Sequence, residues 1–498
     1  MFTEQDYQDF EKRGIDLSKI NSQIESLAKG FPYLELSAAA AVGKGIFIPE
    51  TDKHNSYVGI WQDYCAQNHT VTKFVPASGA ASRMFKDLFG FLNAPYDTPQ
   101  SDFEKKFFAN IRKFAFFGLL DKTCVRLYGK DTDALVNEGK YKSIVDALLN
   151  KDGLNYGALP KGLLQFHNYD GYTRTPLEEH LVEGALYASS HNEANLHFTV
   201  SAEHKELFKQ LINDRISGIE NKFGIKYNIS FSEQKASTDT IAVDLNNNPF
   251  RNDDGSILFR PGGHGALIEN LNQINSDIVF IKNIDNVVPD RLKSDTVEYK
   301  KLLAGVLVSV QEKVFSYLKK LEKEEPSAGL LDEILTFMES TLNIYINNAK
   351  QLKISTLLQL VKAKLNRPIR VCGMVRNVGE PGGGPFLAYG PDGTIQLQIL
   401  ESSQIDMDNS QSAEMFKNGT HFNPVDLVCG LKDYKGNKFD LTQFIDPATG
   451  FISQKYRNCT EHGKMHSRKC KNMGDSTHAE HFLKTRFQIV SAAGEQSF

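Results

Sequence analysis

The stretch that most restricts the fold is Ser276–Lys282, where Ile278, Val279, Phe280 and Ile281 form an unbroken apolar run. A short run without alternation reads as a strand covered on both faces, the kind a parallel α/β sheet contains. It stops at Asn283-Ile284-Asp285-Asn286, which puts a carboxylate and two amides at the strand's carboxyl end. Open α/β sheets bind their ligands there. Upstream, Pro261-Gly262-Gly263-His264-Gly265 carries three glycines whose backbone can approach a ligand closely. It leads into Ala266–Leu271, read as the first turns of a helix. Taken singly, one motif is equally a polar strand end and the other a linker. Lying ~20 residues apart across one helix–strand unit, they point to a binding site.

A second strand–loop–helix unit precedes them. Val71–Val75 reads as a strand, Pro76–Ala81 as a tight loop of small residues, and Ser82–Leu92 as an amphipathic helix. The loop residues Ala77, Ser78, Gly79, Ala80, Ala81 and Ser82 are small enough for phosphate oxygens to reach the N–H groups at a helix start. Arg83 follows, where a guanidinium can make a forked phosphate contact. Pro160-Lys161 opens another apolar run, and Lys161 can present a compact cation. Gln234, in the polar stretch after a strand ending near Ser232, is a candidate reader of a nucleobase edge; a solvated loop is the alternative.

The rest of the chain supplies context. Residues 1–70 read as a helical preface with Ile20, Ile24, Leu27 and Phe31 at helical spacing. Phe103–Leu119 carries an aromatic stripe at helical spacing, read as core. Thr175–Ser189 is a helix with a capping box and proline at its first position. Leu196–Ser201, Glu203–Ile219 and Tyr227–Ser232 alternate strand, helix and strand, which argues for a mostly parallel sheet. Residues 71–294 then form a nucleotide-binding α/β core, and 295–366 a helical segment starting with a long helix at Thr296–Leu321. Residues 367–458 form a smaller β-rich or α+β lobe, with strands at 369–375, 395–400, 427–431 and 439–444. Asp426, just before one of them, is a candidate further carboxylate; an acid in a surface turn is the reading its position alone favours. From 459 a weakly ordered tail is expected, although Cys459, His462, His466 and Cys470 are zinc-ligand types at usable spacing.

With 41% hydrophobic and 24% charged residues, the chain has a soluble globular composition. A formal net charge of -4 gives no bulk support for binding nucleic acid or acidic membranes. No apolar run approaches the ~20 residues needed to span a bilayer. The polar, charged start lacks a signal peptide's apolar core. Cys65, Cys124, Cys372 and Cys429 are scattered, as reduced core thiols are. A cytoplasmic location is expected. Oligomeric state has no sequence signal.

Ala77-Ser78-Gly79-Ala80-Ala81-Ser82-Arg83-Met84 resembles the signature loop of sugar-1-phosphate nucleotidylyltransferases, A-G-G-x-G-T-R-[LM]. Pro160-Lys161 resembles their P-K motif. The Pro261–Gly265 loop and Asn283–Asn286 look like the nucleotide-side loop and metal-site strand end of the UDP-sugar pyrophosphorylase branch. The whole chain is similar to a bacterial domain-of-unknown-function family at the edge of that superfamily. The resemblance implies a nucleotide-diphospho-sugar transferase-like sheet flanked by helices, with magnesium as the metal. It implies that loop 77–83 holds a triphosphate and that Arg83 neutralises departing pyrophosphate. Lys161 would contact the reacting phosphates, Gly262, Gly263, His264 and Gly265 would line the nucleotide, and Asp285 would bind the metal, with Asp426 a candidate second ligand. The expected activity is metal-dependent joining of a sugar-1-phosphate to a nucleoside triphosphate, UTP favoured, with release of pyrophosphate. The alternatives are a nucleotide- or sugar-nucleotide-binding protein without catalysis, and a glycosyltransferase. Ser78 and Ala81 stand where the signature has glycines.

Overall fold

Val71–Pro76 forms a strand (β1) buried along its whole length, a setting that suits its β-branched and aromatic residues. The computed structural model describes residues 2–262, 264–323, 325–379, 382–446, 448–461, 464–474 and 486–490, with backbone only at Arg83, His264, Phe451 and from 453 onward. The fold is mixed α/β, and the chain divides into two units that alternate along the sequence. Residues 73–233 and 282–297 form one unit; residues 1–72, 234–281 and 298–498 form the other.

In the first unit, β1 leads through its small-residue loop to the short helix Lys86–Leu92. Helices Asp102–Ala109, Phe117–Tyr128, Thr132–Asn137 and Tyr141–Leu149 follow, around a core that includes Phe85, Phe91, Phe107, Phe108, Phe116 and Leu148. Most of the aromatic stripe is core, as expected: Phe107, Phe108 and Ile111 are buried and Phe114 and Phe117 pack against them, but Phe103 is exposed and the helix breaks at Asn110. The Asn110 amide turns back to the Lys106 carbonyl at 2.8 Å, and a 3-10 turn at Ile111–Lys113 follows.

His167–Tyr169 (β2) and Tyr172–Arg174 (β3) pair as an antiparallel hairpin. Thr175 then caps helix Pro176–Tyr187 (α1). Its hydroxyl accepts from the Glu178 N–H and the Glu178 carboxylate accepts from the Thr175 N–H, the capping box written in Thr-Pro-Leu-Glu. Glu193–Val200 (β4), Lys205–Phe223 (α2) and Lys226–Glu233 (β5) form a strand–helix–strand crossover. The two strands pair in parallel from Glu193 against Lys226 to Val200 against Glu233. β1 lies beside β4.

In the second unit, Ile278–Lys282 (β6) is fully buried, as its composition predicts. Ile369–Arg376 (β7) and Asp426–Gly430 (β8) pair antiparallel, and β8 is the neighbour of β6. β7 also pairs in parallel with Arg486–Val490, so both senses of pairing occur. Leu36–Ala39, Gly384–Tyr389 and Ile395–Leu400 make a separate sheet. The long helix is Lys293–Lys323 (α3). The N-terminal helices Glu4–Arg13 and Leu17–Lys29 set Phe10, Ile20 and Leu27 against Ile241, Val243 and Ile257. No described helix is long and apolar enough to cross a membrane.

One expectation for the C-terminal region changes. Residues 439–444 are not a strand but contain a 3-10 turn, Leu441–Phe444, started by Asp440, whose carboxylate accepts from the Thr442 N–H. Phe451–Glu461 and Lys464–Gly474 pair as an antiparallel hairpin. Cys459 lies opposite His466 and Cys470 opposite Lys455 in that hairpin, while His462 falls outside the described residues.

Candidate functional site

The loop after β1 turns because its residues divide their work. Ala77 and Ala81 are fully buried, with Ala81 in the helical core, so their methyl groups point away from solvent. Gly79, Ala80 and Ser82 are exposed and Ser78 is half-buried. The Ala77 N–H is satisfied by the Thr199 carbonyl at 2.8 Å. The Ala81 N–H donates to Leu159 and the Lys161 N–H to Gly79, both at 3.2 Å, so the loop is laid against Leu159–Lys161 as an isolated antiparallel bridge. Among the described residues, none accepts from the N–H groups of Ser78, Gly79 or Ala80. Three successive donors without a protein acceptor are what an anion-binding loop presents.

Lys161 opens a 3-10 turn, Lys161–Leu163, behind Pro160. The next residue is packed too closely for a larger one without movement: a Cβ on Gly162 would come within 2.9 Å of the Phe208 ring and 3.1 Å of Ile284, which would have to shift. This close approach brings the turn against the end of the Lys282–Asp285 segment, where Lys161 Nζ and Asp285 Oδ2 form an ion pair. The side chains are 24% and 36% exposed, so the pair is worth roughly 1 kcal/mol or less. A polyanion or a cation arriving from solvent can therefore separate it at little cost.

Asp285 lies inside a turn closed by the Asn286 N–H donating to the Asn283 carbonyl at 3.1 Å. The Ile284 N–H reaches the Pro76 carbonyl at 3.3 Å, which ties this turn to the end of β1. Beneath it, α1 supplies buried polar groups. His180 Nε2 lies 3.1 Å from the Asn283 carbonyl oxygen and 3.2 Å from that of Ile284. Glu183, fully buried, accepts from Lys73 Nζ, Lys282 Nζ and the Tyr187 hydroxyl, each at 2.8 Å. Burial pushes the Lys73 ammonium down to about 7 against the pull of Glu183. Glu183 is held well below the usual carboxylate range: the two lysines outweigh a burial effect that would raise it.

One turn earlier, Glu179 is fully buried and accepts from His167 Nδ1 at 2.9 Å, the Tyr169 hydroxyl at 2.6 Å and Lys293 Nζ at 2.9 Å. Burial alone would raise its carboxyl, but these donors hold it at about 2. Arg174 bridges Glu179 and Asp290 and lies over the Tyr169 ring, 4.2 Å from its centroid. Sequence reasoning missed this whole layer. Its signals were a lysine inside the apolar Val-Thr-Lys-Phe-Val run, a lysine ending β6, and Glu179, His180 and Glu183 in an otherwise apolar helix.

The first unit thus brings together loop 77–83, Lys161 and Asp285; the Arg83 side chain lies outside the described residues. The other candidates belong to the second unit. There Gln234 Nε2 donates to the Gly262 carbonyl at 3.3 Å, so these two do meet. Gly265 lies in a 3-10 turn, His264–Leu267, and the helix after it, Ile268–Leu271, is shorter than expected. Gly263 is outside the described residues and His264 is described by backbone alone. Asp426 is ion-paired with the buried Lys300 of α3. Among the described residues, no group of three or more His, Cys, Asp or Glu side chains is placed to hold a metal ion.

Residues 3–466 match the model of a family described as a domain of unknown function, DUF4301. The chain belongs to the DUF4301 family. No curated protein matches this DUF4301 chain by sequence. Among solved structures it is similar to the UDP-N-acetylglucosamine pyrophosphorylase of Trypanosoma brucei in complex with an inhibitor, at 10% identity over 98% of this chain and 74% of that one, TM-score 0.45. It is also similar to the UDP-glucose phosphorylase of Trypanosoma brucei (12%, 97% and 73%, TM-score 0.42) and to the UDP-glucose pyrophosphorylase of Leishmania major (10%, 97% and 74%, TM-score 0.39). At these scores the likeness by itself transfers no activity.

Proposed function

We propose that this chain is a metal-dependent nucleotidylyltransferase that joins a sugar-1-phosphate to a nucleoside triphosphate, UTP favoured, and releases pyrophosphate. The observation that carries the reading is Lys161 paired with Asp285 beside a loop with three backbone donors that no described residue engages. The motif resemblance of 77–84, 160–161 and 283–286 supports the same assignment, and all three segments belong to one unit.

The reaction is attack of a sugar-phosphate oxygen on the α-phosphorus, forming the new P–O bond as the bond to pyrophosphate breaks. Two anions must meet in line, so positioning and charge compensation supply most of the rate and no nucleophilic side chain is needed. In this reading the Ser78–Ala80 N–H groups cradle the triphosphate. Lys161 leaves Asp285 to compensate the reacting phosphates, and Arg83 compensates the departing pyrophosphate. Gln234, Gly262, Gly263, His264 and Gly265 are proposed for the base and ribose.

Asp285 fits magnesium that arrives with the nucleotide, because this ion commonly uses one or two carboxylates, substrate phosphates and water. Once bound, such an ion polarises phosphoryl oxygens and neutralises charge. Asp426 is the proposed second ligand, and its ion pair with Lys300 would have to open for it to serve. A thermal-shift screen of nucleoside triphosphates, with and without magnesium, tests the reading. Binding at ~100 times Kd adds about 2.7 kcal/mol of stability. Stabilisation by UTP with magnesium is expected; no response to any nucleotide would overturn the proposal.

A further inference from the structure

Beneath Asp285 the chain does something a strand end need not do. The carbonyls of Asn283 and Ile284, consecutive residues, converge on one buried atom, His180 Nε2, at 3.1 and 3.2 Å. Consecutive carbonyls of an extended strand point to opposite sides, so this convergence marks the place where β6 gives way to the turn that carries Asp285. Carbonyl oxygens only accept, so Nε2 carries the proton and donates to both. Nδ1 is then bare, and among the described residues it has no partner. His180 is fully buried. One helical turn on, Glu183 fixes Lys282 at 2.8 Å, the residue immediately before the turn, and Lys73 at 2.8 Å on β1. Lys73 Nζ also donates to the His180 carbonyl at 3.2 Å. His180 and Glu183, three residues apart on α1, therefore grip the three residues that precede Asp285.

We propose that His180 is the positioning residue of the site: by donating to the Asn283 and Ile284 carbonyls it sets the turn that aims the Asp285 carboxylate at Lys161. The role rests on the reading of Lys161 and Asp285 as the working pair. It differs from a packing role because it needs a donor at one point in space, not merely an imidazole's volume. Without His180 the Asn283 carbonyl keeps the Asn286 N–H, but the buried Ile284 carbonyl either rotates toward another donor or draws in water, and either movement turns Asp285 away from Lys161.

The test has a readout that does not depend on turnover. Lys161 in the full chain is acylated with acetic anhydride under limiting conditions, and its labelling rate is read by mass spectrometry relative to Lys235, which pairs with Glu269 in the other unit. Asp285→Asn sets the rate for a released lysine. His180→Leu, with no donor, is expected to raise Lys161 labelling several-fold toward that level. His180→Gln, whose amide N–H can occupy the Nε2 position, is expected to stay near wild type. In pyrophosphate release, His180→Leu should lower kcat by ~10- to 100-fold, as misplacement of about 1 Å does, with KM for UTP little changed. A folded His180→Leu protein that labels Lys161 at the wild-type rate would overturn the role, as would equal labelling in the Leu and Gln variants. Should His180→Leu fail to fold, His180→Asn, whose amide is too short to reach, replaces it with the same expected rise. Wild-type protein that releases no pyrophosphate overturns the catalytic reading, while the labelling pattern decides the positioning role on its own.

Discussion

Replacing Glu183 by glutamine changes one charge at a point where three donors converge. Lys73 Nζ, Lys282 Nζ and the Tyr187 hydroxyl each lie 2.8 Å from its carboxylate, and the side chains of Lys73 and Glu183 are fully buried. An amide keeps the shape but removes the carboxylate that compensates Lys282, and Lys73 once it is protonated, and it turns an N–H pair toward one of them. Breaking a buried pair in this way costs about 3–5 kcal/mol, equivalent to a Tm fall of roughly 6–20 °C for a unit of about 150–250 residues. The pH dependence follows from Lys73, which burial already brings down to about 7 from 10.5. Without Glu183 its folded-state pKa falls further, while the unfolded value is unchanged. Below pH 7 the wild-type native state takes up this proton as the unfolded chain does, but the variant's native state does not. The unfolded variant therefore binds more protons than its native state, and its stability drops relative to wild type by up to about 1.4 kcal/mol per pH unit. Urea unfolding followed by circular dichroism at pH 8, 7 and 6 measures this. The expected gap is about 3–5 kcal/mol at pH 8, widening as pH falls. A gap under about 1 kcal/mol, or one that is flat with pH, would refute the buried lysine–glutamate–lysine arrangement. Adding Lys73→Met to the variant should narrow the gap and flatten its pH dependence, since an apolar residue of similar volume is well tolerated there.

Gly162→Ala should lower stability by about 1–3 kcal/mol through the contacts its methyl would make with Phe208 and Ile284; thermal unfolding reads it, and an unchanged Tm would contradict the close approach. Glu179→Gln should destabilise by on the order of 3 kcal/mol at neutral pH. Glu179 sits at about 2 in the fold against 4.5 ordinarily, so its contribution is present above pH 4.5 and is lost as pH falls toward 2. The two proteins should therefore converge in acid, and a gap that persists unchanged to the acid limit would contradict the assignment.

The elements that sequence predicts well are those governed by local rules. β6 follows from four consecutive apolar residues and its end from the polar Asn283–Asn286 that stops them. α1 begins where Thr-Pro-Leu-Glu says a capped helix begins, and the β4–α2–β5 crossover follows from the change of period between Leu196 and Ser232. Asp285 and Lys161 meet across 124 residues; motif resemblance named both, while periodicity alone named neither as a partner of the other. What escaped is nonlocal or set by a single side chain. Lys73 in an apolar run carries no local mark of Glu183, 110 residues away. That residues 234–281 cluster with the chain's flanks depends on tertiary packing that no periodicity encodes. At 439–444, two phenylalanines favour a strand, but the Asp440 carboxylate holding the Thr442 N–H decides for a turn. Ala81 is legible only in three dimensions: its methyl enters the core rather than the loop's open side.

The proposed reaction requires Asp285 and Lys161 to work together on phosphate chemistry. Its most direct test is pyrophosphate release from UTP with magnesium across a panel of sugar-1-phosphates, comparing wild type with Asp285→Asn. Release that requires a sugar phosphate is expected in the wild-type chain and should fall at least ~100-fold in the variant, with both proteins unfolding at similar temperatures. A folded Asp285→Asn protein that releases pyrophosphate at the wild-type rate would contradict it.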